Sequence, residues 1–266
     1  MRFLKKFRRR KYEYQPAIAR IEGGGIKRGL SAPEVSVVLG KSLDLTLGLM
    51  FCEMLRKGFI DQLQLEPLIV RIADEFIVKE GGKGLQEIKQ YRRLAAQSLS
   101  AALNVYEEAL LELIEEQGEV EVGKLDISIA IQPFIRYVAS RIGGYSLAET
   151  RAYYEALIER APKEARSDGV LTHDRERVFD RNYAMVLLNA DYSEIFDKED
   201  YSYKPVWWRK SKMTQASISF ATWFSKTVES FRANPSLESV KVDLGDEEDL
   251  LSATLMNDIA QATFYG

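Results

Sequence analysis

The sequence predicts a mostly α, α+β fold: two helix-and-hairpin units joined by a long helix, followed by an aromatic-rich C-terminal extension. Three observations carry this. Apolar residues recur at three- and four-residue spacing along much of the chain. Ser- and Asn-led capping patterns mark several helix starts. One Ile/Leu/Val-rich stretch, residues 59–72, has Pro67 near its middle and reads as a β-hairpin. With 46% apolar residues, the chain can fill a core and is not globally disordered.

Taken in order, residues 1–14 form a basic arm with Phe3, Leu4 and Phe7 among the cations, and Gly23-Gly24-Gly25 is a flexible joint after it. Ser31-Ala-Pro-Glu34 is a capping box, so a short helix runs to Leu39 and stops at Gly40. Ser42 caps a second helix through Lys57, with Leu43, Leu47, Met50, Phe51, Met54 and Leu55 on its apolar side and Gly58 beyond. The hairpin follows. Helix returns at Leu85 and continues to Gln117, with a fresh cap at Asn104 and Glu107. Glu119–Val122 is strand-like. Ile127, Ile131, Phe134, Ile135, Val138 and Ile142 line one helical face, ended by Gly143-Gly144. A capping box at Ser146 and Glu149 opens a helix to about Ala161, where Pro162 ends it. Residues 163–212 look less regular. Their aromatics (Tyr183, Tyr192, Phe196, Tyr201, Tyr203, Trp207, Trp208) require a packing surface. Met213, Ser217, Phe220, Phe224, Val228 and Phe231 trace a last apolar stripe, broken at Asn234-Pro235. Asp246-Glu247-Glu248-Asp249 suits the first turn of a further helix. The divisions are residues 1–28 (arm and joint), 29–84 (first unit), 85–162 (connecting helix and second unit) and 163–266 (extension).

Charge is unevenly placed. Residues 1–28 hold ten Lys/Arg against Glu13 and Glu22, a net +8; the whole chain carries −3, so the remainder carries −11. Polyanions are therefore met by the arm. One Cys rules out a disulfide framework and suggests a reducing compartment. One Cys and one His leave no zinc-finger, Fe–S or multi-histidine metal site, and no cofactor motif stands out. Gly23-Gly24-Gly25-Ile-Lys-Arg-Gly lacks the G-x-x-x-x-G-K-[ST] phosphate-loop pattern. The best apolar run, Leu43 to Leu55, is broken by Asp44 and Glu53 and is short of the ~20 residues a spanning helix needs. The N-terminus lacks the apolar core of a signal peptide. The expectation is a cytoplasmic chain, peripheral at the inner face of a membrane.

Residues 29–72, through Gly-Leu-Ser-Ala-Pro-Glu, Leu-Arg-Lys-Gly-Phe-Ile and Glu-Pro-Leu, have the order helix, short helix, apolar helix, hairpin. Residues 106–161 run from Tyr-Glu-Glu-Ala-Leu through Gly-Gly-Tyr-Ser-Leu-Ala-Glu-Thr to Tyr-Tyr-Glu, and Pro-Val-Trp-Trp follows later. These phrases resemble winged-helix-like cytosolic segments of uncharacterised, often membrane-associated bacterial proteins. They cover about 100 residues, and none is a catalytic motif. The resemblance implies two winged-helix-like units and no activity.

Candidate sites divide by chemistry. Arg2, Phe3, Leu4, Lys5, Lys6, Phe7, Arg8, Arg9, Arg10 and Lys11 combine cations with apolar side chains, which suits an anionic membrane surface. Nucleic-acid phosphate or an acidic partner would attract the same charges. Tyr153, Tyr154, Trp207, Trp208 and Arg209 are of the types that anchor protein partners, and equally of the types that pack an extension onto its own body. For DNA reading, the second helix offers only Asp44, Thr46, Gly48 and Glu53 away from its apolar side. The later helix offers Ser128, Gln132, Arg136 and Ser140. His173 stands beside Asp174 among charged neighbours and reads as a wet loop residue; Cys52, inside an apolar helix, reads as core. Of 40 Asp plus Glu, none forms a spaced pair that can be placed opposite another. The favoured reading is a non-enzymatic adaptor or scaffold subunit with a protein partner, held by its arm. The alternatives are a DNA-binding regulator and an enzyme with a carboxylate site. The aromatic tail is the one hint of a homo-oligomer.

Overall fold

A computed structural model of the chain describes residues 18–21, 25–73, 104–142, 146–166, 172–198, 201–205, 207–208 and 218–244. Several sequence-based expectations lie outside these residues. They are the arm from Arg2 to Lys11, Gly23, Gly24, residues 85–103, Gly143-Gly144, Arg209, Met213, Ser217 and the acidic run Asp246–Asp249.

The described residues are mostly helical with a small antiparallel sheet, as the α+β reading expects. Strands β1 (Ile18–Ile21) and β2 (Gly25–Arg28) pair antiparallel, so Gly25, read as part of a joint, opens a strand. Helix α1 (Ala32–Val38) starts at the Ser31 capping box, and α2 (Leu43–Arg56) ends at Lys57 with Gly58 at φ +73. That left-handed turn lets the Phe59 amide return to the Met54 carbonyl at 3.0 Å and sends the chain into the hairpin. Strand β3 (Ile60–Gln64) pairs with β4 (Ile69–Ile72) around Glu66-Pro67. Beyond residues 74–103, α3 (Val105–Gln117) opens at Asn104.

Strand β5 (Val120–Glu121) lies where a strand was expected, but its partner is the first unit's hairpin. It pairs with β4 at Val70↔Val120, giving the order β3-β4-β5. A 3-10 turn (Val122–Lys124) then leads to α4 (Ser128–Ile142), whose six predicted core residues Ile127, Ile131, Phe134, Ile135, Val138 and Ile142 are all buried. Helix α5 (Leu147–Arg166) runs past Pro162. Ala161 and Pro162 are both buried, so packing of the last turn outweighs the one lost backbone bond. The segment read as irregular contains α6 (Thr172–Val186), and His173 lies in its first turn rather than in a loop. The apolar signal there is sparse; among the described residues Phe179, Tyr183 and Val186 repeat at helical spacing into the core. A short α7 (Tyr192–Phe196) and a two-strand ribbon, β6 (Asp197–Lys198) with β7 (Tyr201–Ser202), precede α8 (Phe220–Arg232).

Helix α8 decides how the extension sits. Phe220, Trp223, Phe224, Val228 and Phe231 are buried in the same cluster as Leu47, Met50 and Phe51 of α2. The two helices meet at Gly48, where a methyl group would come 2.8 Å from Val228 Cγ2 and 3.4 Å from Phe224 Cε2. Polar contacts fix the crossing. Arg232 Nε donates to Asp44 at 2.8 Å, and Trp223 Nε1 donates to Gln62 Oε1 at 2.9 Å. Asn234, expected only to break a helix, is buried. Its amide donates to the carbonyls of Val122 and Leu125, each at 2.9 Å. The aromatics of 179–208 close over the other end of α8. Phe220 stacks on Trp223 with centroids 5.6 Å apart, and Phe196 on Tyr203 at 5.1 Å.

Replacing Gly48 by Ala tests this crossing. Alanine favours a helix by about 1 kcal/mol over glycine, but overpacking costs about 1–3 kcal/mol. Urea unfolding of Gly48→Ala is expected to show no gain and a net loss of up to about 2 kcal/mol, where an exposed glycine would show a gain.

Candidate functional site: a buried ionic cluster at the root of the basic arm

The two capping glutamates do more than cap. Glu34 stands in the first turn of α1, where its Oε2 accepts from the Ser31 amide, and its Oε1 faces Arg141 Nη1 at 3.4 Å from the last turn of α4. Glu107 stands in the first turn of α3. Its Oε2 accepts from the Asn104 amide at 2.6 Å, and both its oxygens accept from Lys57 Nζ at 2.6 and 2.7 Å. Lys57 terminates α2, so this pair ties the end of one helix to the start of another. On α2, Glu53 takes two donations from Arg56 on Oε2 and the Tyr183 hydroxyl on Oε1 at 2.8 Å. All six carboxylate oxygens of Glu34, Glu53 and Glu107 are thus engaged.

Tyr106 sits among these groups, stacked edge-on against Phe134 and with its hydroxyl 3.0 Å from Ser31 Oγ. Burial pushes that hydroxyl well above its usual pKa, with Glu107, Glu34 and Glu53 adding to the rise. Glu53 moves the other way. Burial acts to raise its carboxyl, but the Arg56 guanidinium, Lys57 and the Tyr183 hydroxyl together hold it below the usual carboxylate range. The three carboxylates reach this place from α1, α2 and α3, at sequence separations no local spacing rule covers.

The cluster also holds the root of the arm. Arg141 Nη2 donates to the Gly29 carbonyl at 2.8 Å, and the Leu30 amide donates to the Tyr154 hydroxyl at 2.7 Å. Arg151 Nε donates to the Val38 carbonyl at 2.7 Å, so α5 grips both ends of α1. Chemically this is a closed device. Glu34 and Glu107 are wholly inaccessible, and every oxygen has a structural donor. Among the described residues no His/Cys/Asp/Glu group is placed to hold a metal ion. An apolar cavity of about 20 Å³ between Leu47, Phe51, Leu110 and Ile114 has room for one water-sized sphere and carries no polar chemistry.

The remaining predicted residues separate clearly. Tyr154 and Trp208 are each 2% exposed and serve the core. Tyr153 is 38% exposed and edge-on to Tyr154, while half-buried Trp207 packs against Phe220 and Trp223. On α4, Arg136 and Ser140 are exposed and Ser128 and Gln132 half-buried. The Ser140 hydroxyl donates to the Tyr137 carbonyl and that of Ser128 to Asp126, so two of the four polar groups serve their own helix end. On α2, Asp44 and Gly48 lie against α8, while buried Thr46 meets Ser36 of α1, their hydroxyl oxygens 2.8 Å apart. Cys52 is fully buried, and burial raises its thiol well above the ordinary range. Sequence reasoning missed Lys57, Glu107, Arg141 and Asn234 as tertiary contacts. The available signal was local: cations in the last turns of apolar helices and carboxylates in the first turns of others.

Two measurements test the cluster. Lys57→Met strands the buried Glu107 and is expected to cost about 3–5 kcal/mol in urea unfolding. Because Glu53 titrates lower in the folded chain than unfolded, its stabilising contribution is full above the unfolded value, about pH 4.3. It is lost as pH falls through the lower folded value. Glu53→Gln is expected to lower stability at pH 7 and to flatten the acid limb of a stability–pH curve. Comparison with protein-family models, with curated proteins and with solved structures finds no match to this chain.

Proposed function

We propose that this protein is a non-enzymatic adaptor or scaffold subunit, peripheral at an anionic membrane surface. In this reading two winged-helix-like units serve as protein-contact modules and the basic arm supplies the attachment. The observation that carries it is the division of charge. A leading segment of +8 precedes a remainder of −11, and it joins the body at Gly29–Leu30, a point clamped by Arg141 and Tyr154. A polycation on a fixed root favours attachment through the arm, while the acidic body keeps other polyanions away. The engagement of every Glu34, Glu53 and Glu107 oxygen in structural bonds favours scaffold over catalysis.

The DNA-binding alternative is weaker on one specific ground. The polar side of α2 is engaged by α8 at Asp44 and Gly48, by Ser36 at Thr46 and by Tyr183 at Glu53, which leaves Gln132, Arg136 and Ser140 of α4 with a single cation among them. Among the described residues no helix is long and apolar enough to cross a membrane, so attachment in this reading is peripheral.

Sedimentation with phosphatidylserine-containing vesicles tests the proposal. The full chain is expected to co-sediment at low salt and to be released as salt rises. The sextuple variant Lys5→Gln, Lys6→Gln, Arg8→Gln, Arg9→Gln, Arg10→Gln, Lys11→Gln is expected to stay in the supernatant. Equal binding by both proteins, or by neither, removes the membrane reading. A salt-dependent gel shift on random duplex without vesicle binding would put the DNA regulator in its place.

A further inference from the structure

Helix α4 has an inner and an outer stripe. The inner one fills the core. The outer one is Ile129, Pro133, Arg136 and Ser140, with Asp126 just ahead of the helix, and all of these are exposed. They recur at alternating steps of three and four residues, the spacing of a helix–helix seam. Ile129 is 63% exposed, more than any other large apolar side chain among the described residues. Arg136 finds no counter-ion on its own helix, because Ser128–Ile142 contains no Asp or Glu. The acid on its stripe is Asp126, ten positions back and so ~15 Å away along the axis.

We propose that this stripe is the contact surface of a homodimer, in which α4 packs antiparallel on α4 of a second copy about a two-fold axis at the level of Ile131. Self-complementarity carries the proposal. A two-fold contact uses the same patch on both copies, so residue i meets j and j meets i. In an antiparallel helix pair centred on position 131, Asp126 of each copy faces Arg136 of the other. Between these two ion pairs, Ile129 of each copy faces Pro133 of the other. The charges of the stripe thus close on themselves around an apolar centre, as a polar rim surrounds the core of an interface. Pro133 adds rigid apolar surface that loses no side-chain entropy on burial. Duplex DNA fits the stripe poorly, since Asp126 repels phosphate and Arg136 is its one cation.

Size sets the strength. A standard interface removes about 800 Å² per partner from water. One helix stripe does not reach that, so the dimer is weak and forms at micromolar concentration or above. Residues 29–266 carry −11 in each copy. That repulsion is screened beyond about 8 Å at physiological salt, whereas the contact pairs lie inside that distance. The dimer does not rest on the attachment reading. It adds to that reading a second leading segment of +8 on one particle.

Sedimentation equilibrium of the full-length chain, over a wide concentration range and without vesicles, tests this. The parent is expected to rise from the mass of one chain toward that of two. Ile129→Asp puts a charge at the apolar centre and is expected to dimerise at least about 10-fold more weakly. Arg136→Asp sets two carboxylates against each other across the two-fold, and Asp126→Arg sets two guanidiniums against each other. Each is expected to self-associate about 10-fold more weakly than the parent. An equimolar mixture of these two variants restores both Asp–Arg pairs and is expected to dimerise as the parent does. These side chains lie outside the core, so the thermal melting of every variant is expected to match the parent's. A parent that stays monomeric throughout overturns the inference, as does an Ile129→Asp variant that dimerises like the parent. A mixture no better than either variant alone overturns it too. A monomeric parent whose binding to duplex DNA is lost in Arg136→Asp overturns it and gives the stripe to DNA. No vesicle enters the measurement, so this inference and the attachment reading fail separately.

Discussion

The close approach of α8 to α2 at Gly48 is the constraint on which the architecture depends. A glycine in mid-helix is intrinsically unfavourable, and here it is needed because Val228 and Phe224 occupy the volume a side chain would take. Once the helices touch, Trp223 reaches Gln62 of the sheet, and Arg232 reaches Asp44. Asn234 falls beside the carbonyls of Val122 and Leu125. The aromatics of the extension then have a surface to close on. Residues far apart in the chain share one core because side chains of α8 lie directly on the backbone of α2 at Gly48.

The ionic cluster completes what the apolar core begins. Buried ion pairs are poor sources of net stability, but removing one partner is costly, so such groups enforce one arrangement. Here they join α1 to α4, α2 to α3 and α2 to α6. Because Arg141 also holds the Gly29 carbonyl, the same cluster fixes where the hairpin leaves the body.

Much of this was legible in the sequence where the signal is local. The Ser31–Glu34 and Asn104–Glu107 capping boxes, the Gly58 stop, the hairpin across Pro67 and the buried face of α4 all follow from spacing within one turn or strand. What was not legible is non-local. Nothing around Glu119–Val122 says that it will pair with β4, about fifty residues upstream. Nothing around Gly48 announces α8. The weak periodicity of 172–186 hid a helix whose few apolar residues suffice because Phe196, Tyr203, Trp207 and Phe220 pack on its Phe179 and Tyr183. The candidate site failed for the same reason, since its carboxylates are brought together only by tertiary packing.

The α2–α8 contact has a consequence for biosynthesis. The side of α2 around Gly48 is finished early in translation, yet the helix that covers it begins at Phe220. At ribosomal speeds of roughly 5–20 residues per second, that surface waits on the order of ten to thirty seconds for its cover. During this interval Leu47, Met50 and Phe51 belong to an incomplete nascent core. The apolar face of α2 therefore stays open until α8 has been made.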